Sequence, residues 1–167
     1  MWQPIITGVL AERAAAAVAD VVAALREVGV EQAGVESSPM DVALAWAYLS
    51  GETEEDAEMH EAAALHLMRQ LGRPHHGIGL FGGATGTAWA IAHMGDDDVA
   101  ELLQPIDDAL VAALKRTPWS GHFDLISGLA GIAVYALERW ERGEHDLAKQ
   151  LFEPIVARLR ERAHIEQ

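Results

Sequence analysis

Gly79-Leu80-Phe81-Gly82-Gly83-Ala84-Thr85-Gly86-Thr87-Ala88-Trp89 and Asp124-Leu125-Ile126-Ser127-Gly128-Leu129-Ala130-Gly131-Ile132-Ala133 are two copies of one pattern. Each sets a G-x-x-G step, Gly83/Gly86 and Gly128/Gly131, at the head of an apolar run, and the copies stand 45 residues apart. The same offset carried back from Ala88 lands on Ala43, inside Asp41-Val42-Ala43-Leu44-Ala45-Trp46. A fixed period of this size signals repeated supersecondary units, each burying its apolar face against the next.

Outward from those copies the chain reads as helices. Leu10, Ala14, Ala17, Val18, Val21, Leu25 and Val28 recur at three- and four-residue steps, predicting an amphipathic first helix that stops before Gly29. A second helix, from Met40 to Leu49, is almost wholly apolar and should be buried on most sides. Thr53 opens a third, whose Glu54, Glu55, Asp56 and Glu58 suit the positive end of a helix, with Gly72 as its stop. The fourth, Ala84 to Met94, is again apolar. The fifth follows Asp96-Asp97-Asp98 and carries Val99, Leu102, Ile106, Leu110 and Leu114, with Pro105 starting it late or kinking it. The sixth, Leu129 to Trp140, is apolar, and the seventh runs from Asp146 to about Ala163.

No segment alternates with the period of a strand. The chain of 167 residues, 50% hydrophobic, is therefore expected to form one all-α domain over residues 1–167. Wet-faced helices alternate with buried ones, which fits an inner layer wrapped by an outer one. Trp46, Trp89 and Trp140 fall on the inner helices and are expected in the core.

A net charge of −14 and a pI near 4.8 argue against nucleic acid and anionic membranes as partners, since both would be repelled. A basic peptide is compatible with the same charge. With no cysteine, the chain can build neither a disulfide framework nor a thiolate metal site. The uncharged stretch from Pro74 to Gly95 is broken by glycines and histidines and makes a poor membrane span. The N-terminus has no signal-peptide order, so the chain reads as cytoplasmic.

The glycine-rich segment 79–86 and Phe123-Asp124-Leu125-Ile126-Ser127-Gly128-Leu129-Ala130-Gly131-Ile132 resemble motifs of the lanthionine synthetase C (LanC-like) family. Trp2-Gln3-Pro4-Ile5 and Leu44-Ala45-Trp46-Ala47-Tyr48-Leu49 also suit its opening helices. The resemblance covers only an N-terminal part of a typical member. It implies an α/α toroid, here incomplete, and thioether ring formation by addition of a peptide cysteine thiol to a dehydroamino acid. Family members hold zinc through two cysteines and a histidine; the segment supplying those ligands has no counterpart here, so no cofactor is expected in this chain. It is accordingly read as the N-terminal portion of a cyclase, inactive alone. The alternative is a non-catalytic LanC-like module binding a precursor peptide or a partner protein.

By the same resemblance Asp124 matches an aspartate near the family's catalytic centre. The other reading of Asp124 is an N-cap of the sixth helix. His75, His76, His93 and His122 raise a metal hypothesis, and the repeat places His76 and His122 in equivalent loops. No closed ligand spacing supports it, and loop histidines more often form plain polar surface. Asp96-Asp97-Asp98 is more simply a charged helix start than a metal string. Ser120 and Ser127 have no base at a recognised spacing. Ile5, Ile6 and Val9 near one end, and Phe152, Ile155, Val156 and Leu159 near the other, give neither end a polar cap. Repeat ends of this kind call for a neighbour, so a complementary C-terminal segment or self-association is expected.

Overall fold

The computed structural model describes residues 5–30, 38–49, 53–71, 77–95 and 99–165. Among them are seven helices and no strand, so the fold is all-α: α1 (Val9–Val28), α2 (Pro39–Leu49), α3 (Glu54–Gln70), α4 (Ala84–Met94), α5 (Val99–Lys115), α6 (Leu129–Glu141) and α7 (His145–Ile165). The predicted helices and their order are all found. Gly72, Asp96-Asp97-Asp98, His75, His76 and the Trp2-Gln3-Pro4 stretch lie outside the described residues.

Helices α2, α4 and α6 form an inner row, and α3, α5 and α7 flank it. α4 is the hub, packing on α2, α3, α5 and α6, while α6 packs on α7 and α7 on α5. Its composition explains the position. Gly86, Ala88, Ala90 and Ala92 are all buried, and residues this small let four neighbours approach one backbone. Two buried hydroxyls on α4 are satisfied within the same repeat: Thr85 Oγ1 donates to the Ile78 carbonyl and Thr87 Oγ1 to that of Gly83. The core joins Trp46, Leu67, Ile91, Leu103, Leu114, Ile132, Leu151 and Ile155 across the inner and outer helices. This double layer is compatible with part of an α/α toroid. No helix among the described residues is long and apolar enough to cross a membrane.

Local signals set several boundaries. Thr53 is the N-cap of α3, its hydroxyl accepting from Asp56 N–H at 3.1 Å. Asp56 then pairs with Arg26 of α1, and that guanidinium, with Thr53, holds its carboxyl below the usual range. Pro105 does not start α5 late, since the helix begins at Val99 and carries the proline inside it, as α7 carries Pro154.

Three expectations of burial need correction. Trp140 is 42% exposed: α6 buries Ile132, Tyr135, Ala136 and Arg139, and residue 140 falls on the outer side of that face. Trp46 is fully buried and Trp89 packs half-buried against the core, as expected. On α5 the buried face is Leu103, Asp107, Leu110 and Leu114, one position on from the predicted Leu102 and Ile106; Leu102 is exposed. Asp107 can occupy that face because Tyr135 Oη donates to its Oδ1 and Arg139 to its Oδ2 at 3.0 Å. Desolvation still pushes the Asp107 carboxyl and the Tyr135 phenol upward. Finally, α1 buries none of its residues, although Leu25 packs against the core; Leu10, Val18 and Val21 stay exposed. Among the elements predicted to be near an edge, Ile155 is buried, while Ile5, Ile6, Val9, Val156 and Leu159 are exposed.

Candidate functional site

The two sequence copies become two loops that fold over the N-terminal ends of α4 and α6. Two of their backbone hydrogen bonds repeat at equivalent positions, while Gly86 N–H donates to the Gly79 carbonyl and Gly131 N–H to that of Gly128. Ala84 N–H donates to the Gly77 carbonyl at 3.0 Å and, in the second loop, Leu129 N–H donates to that of His122 at 3.1 Å. Thr87 N–H to Gly83 and Ile132 N–H to Gly128 repeat at 3.3 Å. The second glycine of each step lies under its own loop. A Cβ on Gly86 would stand 1.7 Å from the Leu80 carbonyl oxygen, and one on Gly131 would stand 2.4 Å from that of Leu125. The loops also join each other, Phe81 N–H donating to the Ile126 carbonyl at 3.0 Å.

Asp124 stands at the turn of the second loop. Its Oδ1 accepts from Ile126 N–H at 2.7 Å and Ser127 N–H at 2.8 Å, an aspartate-closed turn two and three residues long. It is not the helix cap: the N-cap of α6 is Gly128, which uses no side chain. The Ser127 backbone N–H, then that of Ile126, with His122 nearby, holds the Asp124 carboxyl below the ordinary range. Asp124 is therefore an exposed, ionised carboxylate at neutral pH, able to accept a proton or hydrogen bond and poorly suited to donate one.

His122 Nδ1 lies 4.0 Å from Asp124 Oδ2 with its ring open to solvent. Trp119, which motif reading passed over, braces this loop, its Nε1–H donating to the His122 carbonyl at 3.1 Å. Between the loops opens a cavity of about 400 Å³ lined by Gly79, Phe81, Gly83, Trp119, His122 and Ser127. Phe81 borders it with an exposed apolar side chain, and Leu125 and Ile126 of the second loop are exposed as well. The mouth thus combines an imidazole, glycine backbone and an apolar edge, with the Asp124 carboxylate on the same loop as His122 and Ser127, a set suited to an extended peptide carrying apolar side chains.

Of the four predicted histidines, His93 and His122 fall among the described residues, and the structure separates them. His93 lies at the other end of α4, between Tyr48 and Glu138, and shares no site with His122. No group of three or more histidine, cysteine, aspartate or glutamate side chains among the described residues is placed to hold a metal ion.

The sequence model of the family described as lanthionine synthetase C-like protein matches residues 42–166, about three-quarters of the chain. The chain belongs to the lanthionine synthetase C-like family. The match begins within α2 and takes in both glycine loops and Asp124, leaving α1 outside it. Neither a search of curated proteins nor one of solved structures gives a match.

The zinc of active LanC-like cyclases does not fit the residues present. Its ligand set requires two thiolates, and the chain has no cysteine.

Proposed function

We propose that this LanC-like chain is the N-terminal portion of a lanthionine cyclase, forming one domain over residues 1–167 and contributing the Asp124 wall of the ring-forming site. The observation that carries this reading is the second glycine loop. It spends two backbone amides on keeping the Asp124 carboxylate ionised and turned outward, beside a cavity with an apolar edge. The partners are a dehydrated precursor peptide and a complementary C-terminal segment that supplies the metal ligands. The compartment is cytoplasmic. In this role Asp124 accepts a hydrogen bond or proton from the peptide and orients it; the proton that quenches the enolate comes from another group, because a carboxylate with a lowered pKa is a poor acid.

The missing thiolates also favour a second reading, a LanC-like module that binds the peptide without catalysis. One experiment separates them. A fluorescent peptide bearing a cysteine and a dehydroalanine is titrated onto the chain by anisotropy, and ring formation is followed by loss of alkylatable thiol in mass spectrometry. The cyclase reading expects binding without rings by the chain alone, and rings once the family's zinc-bearing segment is added. The Asp124→Ala variant then lowers the ring rate about tenfold or more. Peptide binding with no rings under either condition establishes the binding module instead, and rings formed by the chain alone refute both.

A further inference from the structure

The C-terminal ends of the inner helices carry a second constellation, about 15 Å from the glycine loops at 1.5 Å of rise per helical residue. Tyr48, His93 and Glu138 occupy one position in three successive repeats, 45 residues apart at each step. The repeat sets them side by side, and they form a continuous chain. Tyr48 Oη lies 3.0 Å from His93 Nε2, and His93 Nδ1 lies 3.1 Å from Glu138 Oε2.

The partners select one tautomer of the neutral imidazole. An ionised Glu138 only accepts, so the neutral imidazole carries its proton on Nδ1 and turns the Nε2 lone pair to the phenol. Tyr48 O–H thus donates to a base that is itself oriented by a carboxylate, the arrangement that activates hydroxyl nucleophiles. The base is held on its other faces as well. Trp89 stacks on the imidazole with ring centres 4.9 Å apart and planes 12° from parallel. Arg142 Nε donates to Glu138 Oε1 at 3.3 Å, and its terminal nitrogens donate to the carbonyls of Gly95 and His93 at 2.7 and 3.0 Å. Packing does not account for Tyr48, which is 76% exposed; its hydroxyl is held by His93 and open to a reagent.

We propose that Tyr48 is an activated phenol, an acyl-accepting nucleophile with His93 as its base and Glu138 as the residue that positions His93. The acyl donor is an activated ester or thioester. Tyr48 Oη bonds to the acyl carbon, and the bond from that carbon to the leaving oxygen or sulfur breaks with its electron pair. The phenolic proton passes to His93 Nε2 and on to the leaving group, giving an O-acyl tyrosine. The carbonyl end of α4 favours the transient imidazolium. This site lies apart from Asp124 and does not rest on the cyclase reading.

The probe is p-nitrophenyl acetate added to the intact chain, with p-nitrophenolate release followed in time and the acetylated residue mapped by mass spectrometry. Tyr135, the other of the two tyrosines, is buried with its hydroxyl given to Asp107 and serves as an internal control. Acetylation is expected at Tyr48 and not at Tyr135, about tenfold or more faster than for N-acetyltyrosinamide, as general base assistance provides. H93Q and E138Q should lower Tyr48 labelling toward the free tyrosine rate, with circular dichroism confirming retained helix. If wild-type Tyr48 reacts no faster than N-acetyltyrosinamide, the proposal is overturned whatever the variants do. It is equally overturned if folded H93Q labels at the wild-type rate, even with a lowered melting temperature, since the ladder is then only a strut.

Discussion

At position 79 the first loop has glycine; at the equivalent position of the second stands Asp124. Much around the two is shared: the bond that ties each loop to its helix start, the G-x-x-G step, and the carbonyl lying over the second glycine. The difference follows from the order of the repeats. Position 79 faces the second loop, where a Cβ would stand 2.7 Å from the Ile126 carbonyl oxygen and 2.8 Å from Ser127 Cα. Position 124 is open enough for an exposed carboxylate. The turns are also closed differently. Gly82 takes a left-handed φ of 75°, whereas its counterpart Ser127 does not, its N–H being held by Asp124. The glycines build the same scaffold twice, and the carboxylate stands only in the copy with room for it.

The scaffold half of that comparison carries the largest expected effect. Alanine is ordinarily the better helix former, by about 1 kcal/mol over glycine. At Gly86 the sign should reverse, because a methyl at 1.7 Å from the Leu80 carbonyl oxygen forces the loop off the helix. Gly86→Ala should cost about 3 kcal/mol and Gly131→Ala, with 2.4 Å of clearance, about 2 kcal/mol. Gly82→Ala meets no neighbour and carries only the left-handed backbone penalty, about 1 kcal/mol. Urea unfolding midpoints rank the three. A Gly86→Ala variant as stable as wild type would mean that the loop does not sit on the helix as described.

Exchanging the distinguishing residues sharpens the comparison further. Gly79→Asp should destabilise the chain by about 2 kcal/mol, since its Cβ meets backbone from the second loop. Asp124→Gly should leave the helices intact and lose the function of the mouth, read as peptide binding or, with the zinc-bearing segment present, ring formation. If the two substitutions had equal effects on stability, the loops would be interchangeable and the asymmetry argued here would be wrong.

Much of this was legible in the chain. Helical period and the two G-x-x-G steps located α2, α4 and α6 and their loops, because a repeated apolar pattern has few other ways to bury itself. Asp124 was visible through its motif context, but its turn was not: a side chain closing on amides two and three residues on looks, in sequence, like a helix cap. Asp107 escaped because its partners Tyr135 and Arg139 are 28 and 32 residues distant, and an aspartate inside an apolar stripe reads as a break in it. Trp140 differs because it stands near the end of α6 against His145 and Lys149 at the start of α7, half in solvent, and an apolar run does not say where the core stops. The α1 stripe is clear in sequence and still unburied, since periodicity shows that a face exists without showing what covers it. The Tyr48–His93–Glu138 chain needed no structure in principle: the 45-residue offset already aligned the three.

The smallest expected effect is electrostatic and belongs to the second loop alone. Asp124 has its pKa lowered chiefly by the Ser127 and Ile126 amides, so it should titrate below the ordinary value of about 3.9. The sign follows from the protons bound. Between the folded and unfolded pKa values the unfolded chain holds more protons, so the contribution to stability rises with pH across that window. It is fully present above the unfolded value and is lost as pH falls through the folded one. Asp56, held down by Arg26 and Thr53, has the same sign, so a global melt at acid pH mixes the two. Local signals separate them. In an acid titration followed by amide NMR, Ile126 and Ser127 should shift with one midpoint below about 3.9, and that step should vanish in Asp124→Asn. The corresponding amides of the first loop, Phe81 and Gly82, have no carboxylate at position 79 and should show no such step. A midpoint at or above the ordinary value would mean that the two amides do not hold the carboxylate, and the chemical difference between the loops would lose its physical basis.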